Sequence, residues 1–218
     1  MIPLRDIIPS RTTPYITVAI IVVNALAWFY ELALPRRELT QFLQLHGVVP
    51  ASFSVPTLFT SMFLHGSWSH VIGNMWYLWI FGDNVEDRFG HGRFVVFYLL
   101  CGAIAALGHL LMNSSSMLPT IGASGAIAGV MGAYFIMYPQ SRVLTLIPIF
   151  YFDVIEVPAI VLLGFWFLMQ LFNAGAVATA TSGTGGGVAF AAHVSGFLVG
   201  MAGVLVFRKR ELNSRWER

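Results

Sequence analysis

Six stretches of the chain are apolar over enough consecutive positions to be read as membrane-spanning helices: 15–34, 69–89, 94–112, 124–138, 157–172 and 189–207. A spanning helix needs about 20 mostly apolar residues, somewhat fewer where protein surrounds it. The second stretch contains His70, Asn74 and Asp83, and the fourth is short and holds Gly125, Gly129 and Gly132. Neither suits a lipid-facing position, so both are placed inside the bundle. The segment 35–68 is too apolar for a disordered linker, with Phe42, Leu43, Phe53, Leu58, Phe59 and Phe63; it predicts a structured loop lying in the membrane interface. Residues 174–188 are rich in Gly, Ala, Thr and Ser and carry no charge, a composition that predicts a mobile connection. The predicted fold class is all-α: a polytopic membrane protein of six transmembrane helices with a long interfacial first loop. Its parts are a cytoplasmic segment 1–14, a transmembrane domain 15–207 and a basic cytoplasmic tail 208–218.

Composition agrees with that pattern. Of the 218 residues 57% are hydrophobic and 10% charged, against about 25% charged in an ordinary soluble domain. The first long apolar stretch is read as a retained span rather than a removable signal peptide. A net charge of +2 with the basic residues at the ends of apolar runs gives no reason to expect nucleic acid. The one cysteine, Cys101, lies in an apolar run and is assigned to packing. No cofactor or metal is expected.

Charge placement then orients the chain. With the N-terminus in the cytoplasm, six spans return the C-terminus there. Arg5, Arg11, Arg88, Arg93, Arg142, Arg208, Lys209, Arg210, Arg215 and Arg218 fall inside, and only Arg36 and Arg37 outside. This positive-inside bias predicts a multi-pass protein of the cell (inner or plasma) membrane with both termini cytoplasmic. The tail beyond 208 is read as a topology anchor touching lipid headgroups.

Polar residues inside spans are costly and default to functional candidates. His70 and Asn74 lie near the start of the second span, Ser124 at the start of the fourth and His193 near the start of the sixth. Even-numbered spans all begin on the outer side, so these four converge on one depth. That convergence is independent of the orientation, which used only Lys and Arg. Their types suit acyl transfer. A serine hydroxyl needs a base to take its proton, and neutral imidazole is the usual one. The helix N-terminus at Ser124 leaves unpaired backbone N–H groups, as an oxyanion requires. His70 and Asn74, four apart, share a helical face and both can donate to that oxyanion. His193, Gly196 and Gly200 form a stripe whose missing side chains permit close helix approach. Asp83, Glu86, Asp87, Asp153 and Glu156 map to the inner half, and Glu31 and Glu38 flank the first loop, so the expected machinery is a Ser124–His193 dyad without an acid.

Together these residues resemble the signatures of rhomboid intramembrane serine proteases of bacterial type. Phe63-Leu64-His65-Gly66 followed by His70-x-x-x-Asn74-Met75 is similar to their second-helix motif. Gly122-x-Ser124-Gly125 and Ala192-His193-x-x-Gly196-x-x-x-Gly200 resemble their catalytic helices, and Glu86-x-Arg88-x-Gly90 another recurrent element. The resemblance covers about residues 59–203. It implies a rhomboid-like six-helix bundle with Ser124 as nucleophile and His193 as base. The oxyanion hole would come from His70, Asn74 and the backbone at Gly122 and Ser124, and the substrates would be transmembrane proteins cut near one end of a helix. Ala128 departs from the pattern, since some bacterial rhomboids carry there a tyrosine that stacks on the catalytic histidine; the group orienting His193 stays open. His65 is assigned to tying the first loop to the second span, and His109 to the end of the third. Two other classes fit these residues: a catalytically silent relative that binds transmembrane helices, and a transporter or metal-binding protein using His65, His70, His109 and His193.

Overall fold

The computed structural model describes residues 1–148, 152–179 and 189–209. In chain order its elements are β1 (Ile2–Asp6), α1 (Tyr15–Ala33), α2 (Arg36–His46), α3 (Thr57–Thr60), α4 (Trp68–Phe89), α5 (His91–Met112), α6 (Ser124–Met137), β2 (Arg142–Pro148), β3 (Phe152–Pro158), α7 (Ala159–Thr179) and α8 (Phe190–Phe207). A helix occupies each of the six predicted stretches. Four of them (α1, α5, α7 and α8) are long and apolar enough to cross a membrane, and α6 is a shorter apolar one. The remaining helix, α4, carries Asp83, Glu86, Asp87 and Arg88 in its last turns.

The architecture corrects the all-α expectation. β1, β2 and β3 form an antiparallel sheet in that order, pairing Pro3 with Thr145 and Val143 with Val157. The alternation Val143-Leu144-Thr145 is the period-two pattern of a strand with one buried face; Val143 and Thr145 are fully buried. Pro3 sits in an edge strand, where its missing N–H costs nothing, and its carbonyl accepts a 2.7 Å hydrogen bond from the Trp76 indole. A second correction concerns α7. It runs to Thr179, so 174–179 belong to a helix rather than to a mobile connection. Residues 180–188, and the tail past Lys209 with Arg210, Arg215 and Arg218, lie outside the described residues.

A buried carboxylate locks the end of α4 that carries its charges. Glu86, wholly buried, accepts the backbone N–H groups of Ile16 at 3.0 Å and Thr17 at 2.8 Å. These are orphan donors of α1's first turn, so a carboxylate there satisfies both hydrogen bonding and the helix dipole. His91, itself well exposed, meets Glu86 at 2.6 Å. On the opposite side, the first loop contains α2 and α3, as its composition predicts. Val48 and Thr120 exchange backbone hydrogen bonds of 3.0 and 2.8 Å, fastening that loop to the segment that leads into α6.

Helix α6 is the centre of the bundle. Every residue from Gly125 to Tyr134 is buried, against α4, α5, α7 and α8. Glycines permit this. A Cβ on Gly196 would strike the Gly125 carbonyl, one on Gly200 the Gly129 carbonyl, and one on Gly132 the Phe197 carbonyl. The backbones of α6 and α8 therefore touch directly, and Cys101 packs on the bare surface of Gly129.

The obstruction at Gly200 is backbone, which a rotamer change cannot relieve. Gly200→Ala should force the helices apart and lower stability by about 1–3 kcal/mol, read as a fall in thermal midpoint in detergent. Gly92→Ala, whose Cβ meets nothing within 4 Å, is the control and should leave the midpoint unchanged or raise it. Equal midpoints for the two variants would contradict the packing account.

Candidate active site

The contact between α6 and α8 brings two of the expected residues together. Ser124 opens α6 and His193 lies one turn above Gly196 on α8, and the Ser124 Oγ to His193 Nε2 distance is 2.8 Å. His193 is 8% exposed. No carboxylate among the described residues hydrogen-bonds to it; its Nδ1 instead meets Gln170 Oε1 on α7 at 2.8 Å. Glu31, which flanks the first loop, is buried with its oxygens 3.2 and 3.3 Å from the His65 backbone nitrogen. It holds the loop instead.

His70 and Asn74 reach the same place from α4. Ser124, His193, His70 and Asn74 all line one cavity of about 730 Å³. A smaller one, about 250 Å³, leads from the same four residues between α4 and α7 toward Tyr77 and Trp166. Asn74 Nδ2 lies 2.9 Å from His65 Nε2. Burial, helped by neighbouring His70, pushes the His65 ring down to about 4, so it is neutral and its nitrogen accepts. One Asn74 N–H is committed this way, and the second remains for the cavity. His65 thus ties the first loop to α4, as expected, through the amide that borders the site. His109 stands in the cavity wall, bonded to Thr120 Oγ1 at 2.8 Å.

Gly122, expected to offer its N–H to an oxyanion, donates it within the protein, to the Ser61 carbonyl at 2.8 Å. What Gly122 contributes is shape. Its φ of +122° is a conformation that glycine alone adopts freely, and a Cβ there would lie 2.6 Å from His70 Nε2. The first α6 hydrogen bond runs from Ile127 N to Ala123 O. The N–H groups of Ser124, Gly125 and Ala126 therefore have no partner within the helix.

A model of the Rhomboid domain matches residues 52–210. The chain belongs to the rhomboid family. It is 26% identical over 200 residues, 85% of the chain, to Rhomboid-like protein 11, chloroplastic, of Arabidopsis thaliana, of which it covers 66%. Over 76 residues, 35% of the chain, it is 38% identical to Rhomboid protease GluP of Bacillus subtilis (strain 168), covering 14% of that protein. Over 149 residues, 57% of the chain, it is 26% identical to presenilin-associated rhomboid-like protein, mitochondrial, of Rattus norvegicus, covering 40%. The chain spans less than two thirds of the length of each of these relatives.

In this rhomboid the neighbours of His193 on the side away from Ser124 come from α7. Ala128 is wholly buried, and the ring beside His193 is Trp166, centroids 5.7 Å apart. Trp166 and Gln170 are one turn apart on α7 and both touch His193. The sequence reading missed Gln170, although a lone amide in an apolar run was a signal of the same kind as His70. Phe165 is exposed, Trp166 meets the histidine, and Phe167 stacks on Phe197 at 4.7 Å.

Removing one oxyanion donor typically lowers turnover about 10²–10³-fold. If His70 and Asn74 donate to an oxyanion, as the sequence leads one to expect, His70→Ala should fall in that range, and Asn74→Ala should cost less because backbone N–H groups and His70 remain. The double variant should be worse than either. Unchanged turnover of the double variant at matched thermal stability would make both residues structural.

Proposed function

We propose that this rhomboid is an intramembrane serine endopeptidase that hydrolyses peptide bonds in or near transmembrane helices of other membrane proteins. The observation that carries the proposal is the 2.8 Å contact between Ser124 Oγ and His193 Nε2 at the wall of a cavity bordered by His70 and Asn74. In the first step Ser124 Oγ attacks the substrate carbonyl carbon while His193 Nε2 takes the hydroxyl proton. Negative charge gathers on the carbonyl oxygen, where His70, the free Asn74 N–H and the backbone N–H of Ser124 donate to it. His193 then passes its proton to the leaving amine. Water, deprotonated by the same nitrogen, releases the acyl group from Ser124 and restores both residues.

The charge distribution supports six spans with both termini cytoplasmic and the site open to the outer side of a cell membrane. The fourteen residues of α6 make a rod of about 21 Å, shorter than the roughly 30 Å hydrocarbon core. This sets Ser124 below the surface. A substrate bond at that depth is hidden by lipid and by its own helical hydrogen bonds. Substrates should therefore carry helix-weakening Gly, Pro or Ser near the cut, and the small residues around Ser124 favour a small side chain just before it. The cavity between α4 and α7 makes α7 the wall that moves to admit a substrate.

Ser124→Ala should abolish cleavage of a transmembrane reporter without altering folding. His193→Ala should lower cleavage by at least about 100-fold, and a chelator should have no effect. Mass spectrometry of the product termini should place the cut toward the outer end of the substrate helix. Cleavage by folded Ser124→Ala, zinc-reversible inhibition by the chelator, or cuts at the cytoplasmic end would each defeat the reading. A silent helix-binding relative would retain the reporter uncut in the wild type as well.

A further inference from the structure

We propose that Gln170 is the positioning residue for His193, and that it makes the Ser124–His193 dyad competent only while α7 is seated against α8. The inference rests on the dyad reading above and concerns its regulation.

A neutral imidazole has one N–H, on either nitrogen. If the proton is on Nδ1, Nε2 presents a lone pair to Ser124 and is a base. If it is on Nε2, that nitrogen donates to Ser124 Oγ and takes nothing from it. The two forms are close in energy in water, so a partner at Nδ1 decides between them. Here that partner is the Gln170 Oε1 at 2.8 Å, an acceptor that fixes the proton on Nδ1. The ring is thereby held at both nitrogens, each by a 2.8 Å contact, with the Trp166 ring beside it. Only 8% of His193 is exposed, so water is poorly placed to replace the amide. An amide carries no charge, and its contribution is orientation rather than stabilisation of an imidazolium.

The two ends of this hydrogen bond lie on different helices. Gln170 belongs to α7 and His193 to α8, while Ser124 is fixed to α8 through the glycine contacts of α6. Moving α7 outward to admit a substrate leaves the Ser124–His193 contact in place but removes the acceptor at Nδ1. The serine then faces a ring free to adopt the wrong tautomer. Return of α7 over the substrate restores the base, which confines hydrolysis to the closed arrangement.

The test uses the full chain in nanodiscs with a transmembrane reporter and ¹⁵N-labelled histidine, His193 being assigned by its loss in His193→Ala. Gln170→Met keeps the bulk and loses the acceptor; Gln170→Glu can only accept. Gln170→Met should lower kcat about ten- to a hundredfold, by analogy with the orienting partners of metal-bound histidines, with KM little changed. Gln170→Glu should stay within a few-fold of wild type. The ¹⁵N shifts should place the proton on Nδ1 in the wild type and move it toward Nε2 in Gln170→Met. Phe167→Ala, which removes the α7 ring stacked on Phe197, should weaken the Nδ1–H signal with Gln170 intact. Wild-type kcat and tautomer in Gln170→Met, or Gln170→Glu as impaired as Gln170→Met, would overturn the positioning role. An unchanged signal in Phe167→Ala would overturn the dependence on α7. Ser124→Ala run alongside separates the two levels. If it still cleaves, the dyad itself is wrong; if it is dead while Gln170→Met is normal, only this inference falls.

Discussion

Direct backbone contact between α6 and α8 is the constraint on which the site depends. Gly196 lies on the Gly125 carbonyl, Gly200 on the Gly129 carbonyl, and Gly132 on the Phe197 carbonyl. In lipid, helices gain little from burying apolar surface against one another, so close van der Waals packing between small residues carries the association. Three contacts spread over about two turns define both separation and rotation. Ser124 immediately precedes the first contact and His193 stands one turn above it. A side chain at any of these positions would widen the gap between two groups that need to stay within hydrogen-bond reach.

The surrounding elements hold the ends of this pair in place. The Val48–Thr120 bridge and the Gly122 to Ser61 hydrogen bond fix the segment entering α6, and the turn at Gly122 leaves room for His70. Across the cavity, Glu31 holds the His65 backbone and His65 holds Asn74, a chain of buried polar contacts from α1 to the rim of the site. Glu86 performs the equivalent task at the far end by capping α1. These buried polar groups find partners inside the protein because a bilayer offers none.

Much of this was legible in the sequence, because lipid imposes a simple rule. Long apolar runs become helices, and polar residues inside them need a reason. His70, Asn74, Ser124 and His193, which line one cavity, were all singled out that way. The strands were not. Residues 1–14 and 139–156 are short, proline-containing and flank the spans, and their pairing is non-local: β1 meets β2 across more than a hundred residues of chain. Gln170 is a polar residue in an apolar run like the others, but which ring it meets depends on how α7 packs on α8. The partner of the Gly122 N–H was hidden for a related reason. The place of Gly122 in the motif gave the right neighbourhood, while the fate of its N–H depends on Ser61, far away in sequence.

The central claim is that Ser124 is an activated nucleophile. The most direct measurement treats membranes holding the full chain with a fluorophosphonate and locates the adduct by tandem mass spectrometry. A single adduct on Ser124, formed far more slowly in His193→Ala and absent from Ser124→Ala, is the result predicted. An adduct that forms at the same rate without His193, or on another serine such as Ser116 or Ser195, would contradict it.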